Sequence, residues 1–235
     1  MKRNKKYFTL AELVIILGVM FISFSLSGFF ISKAQRDAKA VKCAENLFRM
    51  GKATFKYAAD NKGFLPYAAE GHDNWKLQIA SYMGIKDPAV KGNKEKFSLF
   101  HCPADVNKMP TYMEKDPFYL GKMSYCANLY VMDAKYNDLN NDGFMTARKL
   151  NSIDGPDTVI LYAENHNRNN VIGSGLSLNW NRNKSEFTYP ESAKKGYHAG
   201  SNNYLLLDGG VEFYTYNFTL IPEDMWFLKY GTSDL

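Results

Sequence analysis

The stretch Phe8-Thr9-Leu10-Ala11-Glu12-Leu13-Val14-Ile15-Ile16-Leu17 opens an apolar run that carries one charge, Glu12, and then none until Lys33. Before it stands a basic leader, Met1-Lys2-Arg3-Asn4-Lys5-Lys6-Tyr7. From Leu13 to Ile31 there are 19 residues, against the ~20 that a helix needs to cross a bilayer. The sequence therefore predicts a membrane-spanning helix with a carboxylate near its start. Such a group costs roughly 2.5 kcal/mol or more at the bilayer centre, so it points to a partner that offsets the cost. Basic residues hold the leader on the cytoplasmic side and send the remainder outward. Two other readings compete. A secretory signal peptide would use Ser25-Leu26-Ser27 as its cleavage site, but the run exceeds the ~7–15 residues of such a core. A plain anchor needs no role for Glu12.

The helical pattern continues beyond the run. Ala34, Ala38, Val41, Ala44, Leu47 or Phe48, Phe55 and Ala58 recur at three- and four-residue steps, an amphipathic stripe. No proline intervenes before Pro66, and Asp60-Asn61-Lys62-Gly63 supplies a stop with Gly63 as the C-terminal cap. One helix over residues 8–60 is expected. Thereafter residues 72–83 read as a short helix ending at Gly84, and residues 97–102 as a short extended piece. Residues 123–132 read as a strand or buried segment, and residues 158–163 as a strand. Residues 203–207 and 211–216 flank Asp208-Gly209-Gly210, a hairpin signal.

The chain has 235 residues, 46 % hydrophobic and 15 % aromatic, enough for a packed core without cofactors. The net charge of +5 sits partly in the leader, so no basic face calls for nucleic acid. Three cysteines, Cys43, Cys102 and Cys126, suit an oxidising compartment. They permit one bridge in any of three pairings, or buried free thiols.

The basic leader followed by Phe8-Thr9-Leu10-Ala11-Glu12 and an apolar helix resembles the type IV pilin and pseudopilin family. The resemblance implies cutting of the Tyr7–Phe8 bond by a prepilin peptidase and N-methylation of Phe8. Tyr7 stands where that family usually has Gly or Ala. Glu12 would then neutralise the freed amine of a neighbouring subunit, since burying the two charges together costs far less than burying either alone. Small residues in the run (Gly18, Ser23, Ser25, Ser27, Gly28) suit close helix approach, or are merely tolerated in it.

A second signature lies near the other end: His198, nine residues, then Asp208-Gly209. This spacing resembles the C-terminal mark of a bacterial subfamily of pilin-like proteins, as do Cys43-Ala44-Glu45-Asn46-Leu47, Phe100-His101-Cys102-Pro103 and Ser124-Tyr125-Cys126-Ala127-Asn128. By that resemblance Cys43 and Cys102 form the disulfide. His198 and Asp208 read as a hydrogen-bonded pair that pins a loop. A catalytic or metal role is the rival. Asp138, Asn140 and Asp142, followed by Gly143, match the first half of a calcium loop, with Phe144 giving a carbonyl and Thr146 a further oxygen. Lys149 stands where a closing Glu belongs, with Asp154 as a substitute, and a simple polar turn is the alternative. Trp180, Tyr189 and Tyr197 offer a sugar-binding surface or ordinary packing.

The expected fold is α+β: a long N-terminal helix, membrane-spanning in its first half, packed on a small antiparallel β-sheet head. Residues 1–7 would be a cytoplasmic leader, 8–31 the transmembrane and assembly segment, 32–62 the remainder of the helix and 63–235 the extracytoplasmic head. The resemblance implies a non-enzymatic subunit of a pilus-like or type II secretion pseudopilus filament, single-pass in a bacterial inner membrane. Its partners would be other pilin-like subunits, the peptidase and the assembly machinery, with calcium the one possible cofactor. A membrane-tethered glycan-binding head that never polymerises is the other function considered.

Overall fold

The computed structural model describes residues 9–66, 75–85, 98–107, 123–132, 148–166, 196–215 and 225. Helix α1 runs Leu10–Asp60. A reciprocal capping box starts it: the Thr9 backbone N–H donates to Glu12 Oε2 at 2.8 Å, and the Glu12 N–H returns to Thr9 Oγ1 at 3.3 Å. At the other end the Asn61 N–H bonds the Tyr57 carbonyl at 2.9 Å and the Gly63 N–H bonds Ala58 at 2.8 Å. Lys62 takes the left-handed position, with φ 56°, and Gly63 follows at φ 84°. The helix thus stops where expected, one residue ahead of the expected cap, in a Schellman-type closure.

The chain divides into two compact units, Met1–Ala38 and Lys39–Leu235, so α1 contributes to both. In the first unit the apolar side chains of residues 10–25 are exposed. The expectation of a membrane span is corrected here: among the described residues no helix is long and apolar enough to cross a membrane. Between Leu13 and Ser25 the apolar side chains are interrupted by Gly18, Ser23 and Ser25, which lowers the mean hydropathy of the segment.

In the second unit, residues 39–60 of α1 pack on a four-stranded antiparallel sheet in the order β1-β2-β3-β4. The strands are β1 (Tyr125–Ala127), β2 (Ile160–Glu164), β3 (Asn202–Leu206) and β4 (Val211–Tyr214). The β3–β4 hairpin forms around Asp208-Gly209, with the Leu206 N–H on the Gly210 carbonyl at 2.8 Å. Helix α2 (Trp75–Ala80) and a 3₁₀ turn (Ser81–Met83) end at Gly84. A four-residue helix, α3 (Leu129–Met132), follows β1. Residues 98–100 form a 3₁₀ turn rather than the extended piece expected there. Its Phe100 is fully buried against Trp75, ring centroids 5.8 Å apart, and that packing outweighs local preference.

One core lies between α1 and the sheet. Leu205 covers Gly51 so closely that a Cβ there would meet its methyls at 3.0 and 3.1 Å. Tyr162 reaches back to Thr54, hydroxyl to hydroxyl at 2.8 Å. The sheet's other face holds Cys126, Ile160, Ala163, Tyr204 and Leu206 with Met225. A register shift between Ile160 and Tyr162 breaks the alternation of β2. Leu161 and Tyr162 therefore both join the core against α1, and every later residue of the strand changes face. The shift turns Glu164 towards α1.

Candidate functional site

Glu164 ends β2 on the α1 side, beside Asn203 of β3 and close to the Cys43–Cys102 disulfide. Its carboxylate meets donors from β3 and the ring of His198. The Asn203 backbone N–H donates to Oε2 at 2.9 Å, and Asn203 Nδ2 donates to Oε1 at 3.1 Å. Asn203 Nδ2 also donates to the Ala40 carbonyl of α1 at 3.2 Å, tying strand, acid and helix together. His198 Nε2 stands 2.8 Å from Glu164 Oε1 and 3.6 Å from Cys102 Sγ.

His198 is delivered by a tight turn. Its N–H and carbonyl both pair with Ser201, at 3.0 and 3.2 Å. Ala199 and Gly200 between them have φ 54° and 97°, the signature of a type I′ turn. The Tyr197 N–H donates to Asn202 Oδ1 at 2.8 Å, locking the turn to the start of β3. Gly196, at φ 69°, lies so close to the Gly200–Ser201 backbone that a Cβ would overlap it.

Cys43 on α1 and Cys102 form the disulfide that the resemblance implies, with Cα atoms 5.2 Å apart and 59 residues of separation. A loop of that length stabilises by roughly 4 kcal/mol in the chain-entropy account. Beyond it Asp105 Oδ2 accepts from Ser124 Oγ at 2.8 Å, and Asp105 Oδ1 accepts the Asn107 N–H at 3.1 Å. Asn107 Nδ2 also reaches the His166 carbonyl. His166 stacks on Tyr197, centroids 3.8 Å apart, and lies edge-on to His198 at 6.1 Å. Tyr125 pairs with Glu164 in the sheet register and accepts from Asn46 Nδ2 at 3.2 Å. Burial, and then the charge of Glu164, push the Tyr125 phenol well up.

The pairing expected between His198 and Asp208 is corrected. His198 bonds Glu164, whereas Asp208 Oδ1 accepts the Gly210 N–H at 2.8 Å in the exposed β3–β4 turn. Strand β3 lies between the two residues, and five extended residues separate their ends by about 17 Å. Gly209, at φ 95°, shapes the same turn. Tyr7 and Phe8 lie outside the described residues, as do Asp138, Asn140, Asp142, Phe144 and Thr146 of the calcium loop, Trp180 and Tyr189. Cys126 is buried and outside the disulfide, its Sγ 3.6 Å from the Ala163 carbonyl oxygen.

Sequence reasoning missed Glu164 and Asn203, which sit in β-rich runs with no local mark of their role. It also missed the capping role of Glu12, although Thr-x-x-Glu ahead of an apolar run is a recognisable start signal. The chain matches no family model, no curated protein and no solved structure.

Proposed function

We propose that this chain is a non-enzymatic structural subunit of a pilin-like filament, assembled by packing of residues 8–31 of neighbouring copies. The observation that carries the reading is the surface of α1 before Ala38. Val14, Ile15 and Ile16 are consecutive and all exposed, as are Phe21 at 77 % and Phe24 at 84 %. Residues 100° apart on a helix face different ways, so the surface from Leu13 to Phe24 is apolar on every side. A single docking groove would cover one stripe of it. Several like helices around it cover all of it, and an exposed apolar surface of this extent calls for such cover.

The polar groups in the segment are already provided for. Ser23 Oγ donates to the Val19 carbonyl at 2.8 Å and Ser25 Oγ to Phe21 at 2.9 Å, so both serines can enter an apolar interface without orphaned hydroxyls. At Gly18 an added Cβ would meet nothing within 4 Å, which leaves room for a neighbouring backbone. Both capping contacts of Glu12 land on Oε2. Oε1 is then the oxygen to receive the amine of a neighbour cut by a prepilin peptidase at Tyr7–Phe8 and methylated on Phe8. The disulfide supports a head that works outside the cytoplasm, where bacterial assembly machinery would receive it.

Sedimentation of the full-length chain tests the reading. Wild type should form large assemblies, while Phe21→Lys and Val14→Lys should remain small with the head folded, as judged by near-ultraviolet circular dichroism. Glu12→Ala should impair assembly and leave the head intact. A wild-type chain that sediments as a monomer, with or without its first seven residues, would support a solitary binding head instead.

A further inference from the structure

The Cys43–Cys102 disulfide is flanked by an imidazole and a carboxylate, neither of which a disulfide requires. Sγ of both cysteines, Glu164 and His198 each offer one ligand atom, all within 4.8 Å of one another, and all four residues are buried. A tetrahedron around zinc, with bonds of ~2.0–2.3 Å, has edges of about 3.3–3.8 Å. His198 Nε2 stands 3.6 Å from Cys102 Sγ, inside that range, and 2.8 Å from Glu164 Oε1, about half an ångström short of it. Once the S–S bond is cut, the two sulfurs must separate to van der Waals distance, about the edge required.

We propose that Cys43, Cys102, Glu164 and His198 form a zinc site that is mutually exclusive with the disulfide. The step balances with a dithiol as reductant. The dithiol gives two electrons and two protons to the S–S bond and becomes a disulfide itself, leaving thiols at Cys43 and Cys102. Zinc(II) then displaces those two protons to solvent. It bonds the two thiolates, a Glu164 oxygen and the Nε2 lone pair of His198, whose remaining proton sits on Nδ1. The site carries one net negative charge, and the supporting contacts suit it. Asn203 donates to both Glu164 oxygens and holds that ligand in orientation. The type I′ turn fixes His198. Either closure ties α1, the segment after residue 100, β2 and the turn before β3 to one point, so the head is stapled in both redox states. The inference stands independently of filament assembly.

The test uses the full chain carrying Cys126→Ala, which removes the remaining thiol. The chain is reduced anaerobically with a phosphine, which competes for metal less than a dithiol does, and titrated with cobalt(II) and then zinc(II). Expected are one cobalt per chain, thiolate-to-cobalt charge-transfer absorption with a tetrahedral ligand-field band, and displacement by zinc. The oxidised chain should give neither band. Glu164→Gln and His198→Ala should each weaken cobalt binding at least about tenfold. Absence of these bands in the reduced chain, or unchanged affinity in both variants, overturns the site. If reduction unfolds the chain, recovery of its far-ultraviolet spectrum on adding zinc supports the site, and failure to recover overturns it.

Discussion

His198 Nε2 and Glu164 Oε1 lie 2.8 Å apart with both side chains buried, although the two residues are 34 positions apart in sequence. Removing the imidazole leaves Glu164 with the Asn203 donors alone, and removing the carboxylate leaves buried His198 without its shortest contact. Leaving a buried polar group short of its partner costs about 1–3 kcal/mol. His198→Ala and Glu164→Ala should each lower the unfolding free energy by about that much in urea, and the double variant should cost less than the sum. Small, additive effects would show that the contact contributes little.

Gly196 tests the turn that carries His198. Gly196→Ala adds a Cβ into the Gly200–Ser201 backbone at a left-handed φ, so the turn must open. A loss of about 2–4 kcal/mol is expected. Gly200→Ala keeps open space around its Cβ and meets only the cost of its φ, about 1 kcal/mol. Urea midpoints should rank wild type, Gly200→Ala and Gly196→Ala in falling order.

Lys76 predicts an alkaline gain in stability. Burial in α2 lowers its ammonium from 10.5 to about 8. Between those values the unfolded chain holds a proton that the folded chain has released, so stability rises with pH. The gain should be on the order of 2 kcal/mol between pH 8 and 10, and Lys76→Met should abolish it. Above pH 10 the sign reverses. The buried phenols of Tyr125, Tyr162 and Tyr204 are all pushed up by burial, so the unfolded chain loses protons that the folded one keeps. Urea unfolding across pH 7–11 should show both limbs.

The Thr54–Tyr162 hydroxyl pair joins α1 to β2 inside the core. Tyr162→Phe leaves the Thr54 hydroxyl buried without this partner and should cost about 1–2 kcal/mol. Adding Thr54→Val should restore part of it, since both hydroxyls are then gone. A double-mutant cycle in urea measures the coupling. Strict additivity would mean that the bond is worth nothing here.

Local signals in the sequence located much of the fold. The stripe from Ala34 to Ala58 and the Asn61-Lys62-Gly63 stop read α1 to its last turn, because helix periodicity and capping are short-range. Asp208-Gly209 between two β-rich runs gave the hairpin for the same reason. The site was less legible because its parts meet only through tertiary register. Glu164 faces α1 only because of the shift between Ile160 and Tyr162, which no local pattern announces. Ala199 at positive φ hid a type I′ turn that Asn-Gly would have advertised. The nine-residue spacing drew attention to Asp208, whereas His198 bonds an acid from another strand. The apolar run was read as a span from its count of uncharged residues, whereas no helix among the described residues is long and apolar enough to cross a membrane.

Cross-linking between copies tests the central claim, assembly through the apolar part of α1, most directly. In the Cys126→Ala background, with the Cys43–Cys102 bridge closed, Ile15→Cys or Phe213→Cys supplies a single exposed thiol, one on α1 and one on the head. With a short bis-maleimide, Ile15→Cys should give covalent dimers in high yield, whereas Phe213→Cys should give few. Equal, low yields from both positions would contradict the account.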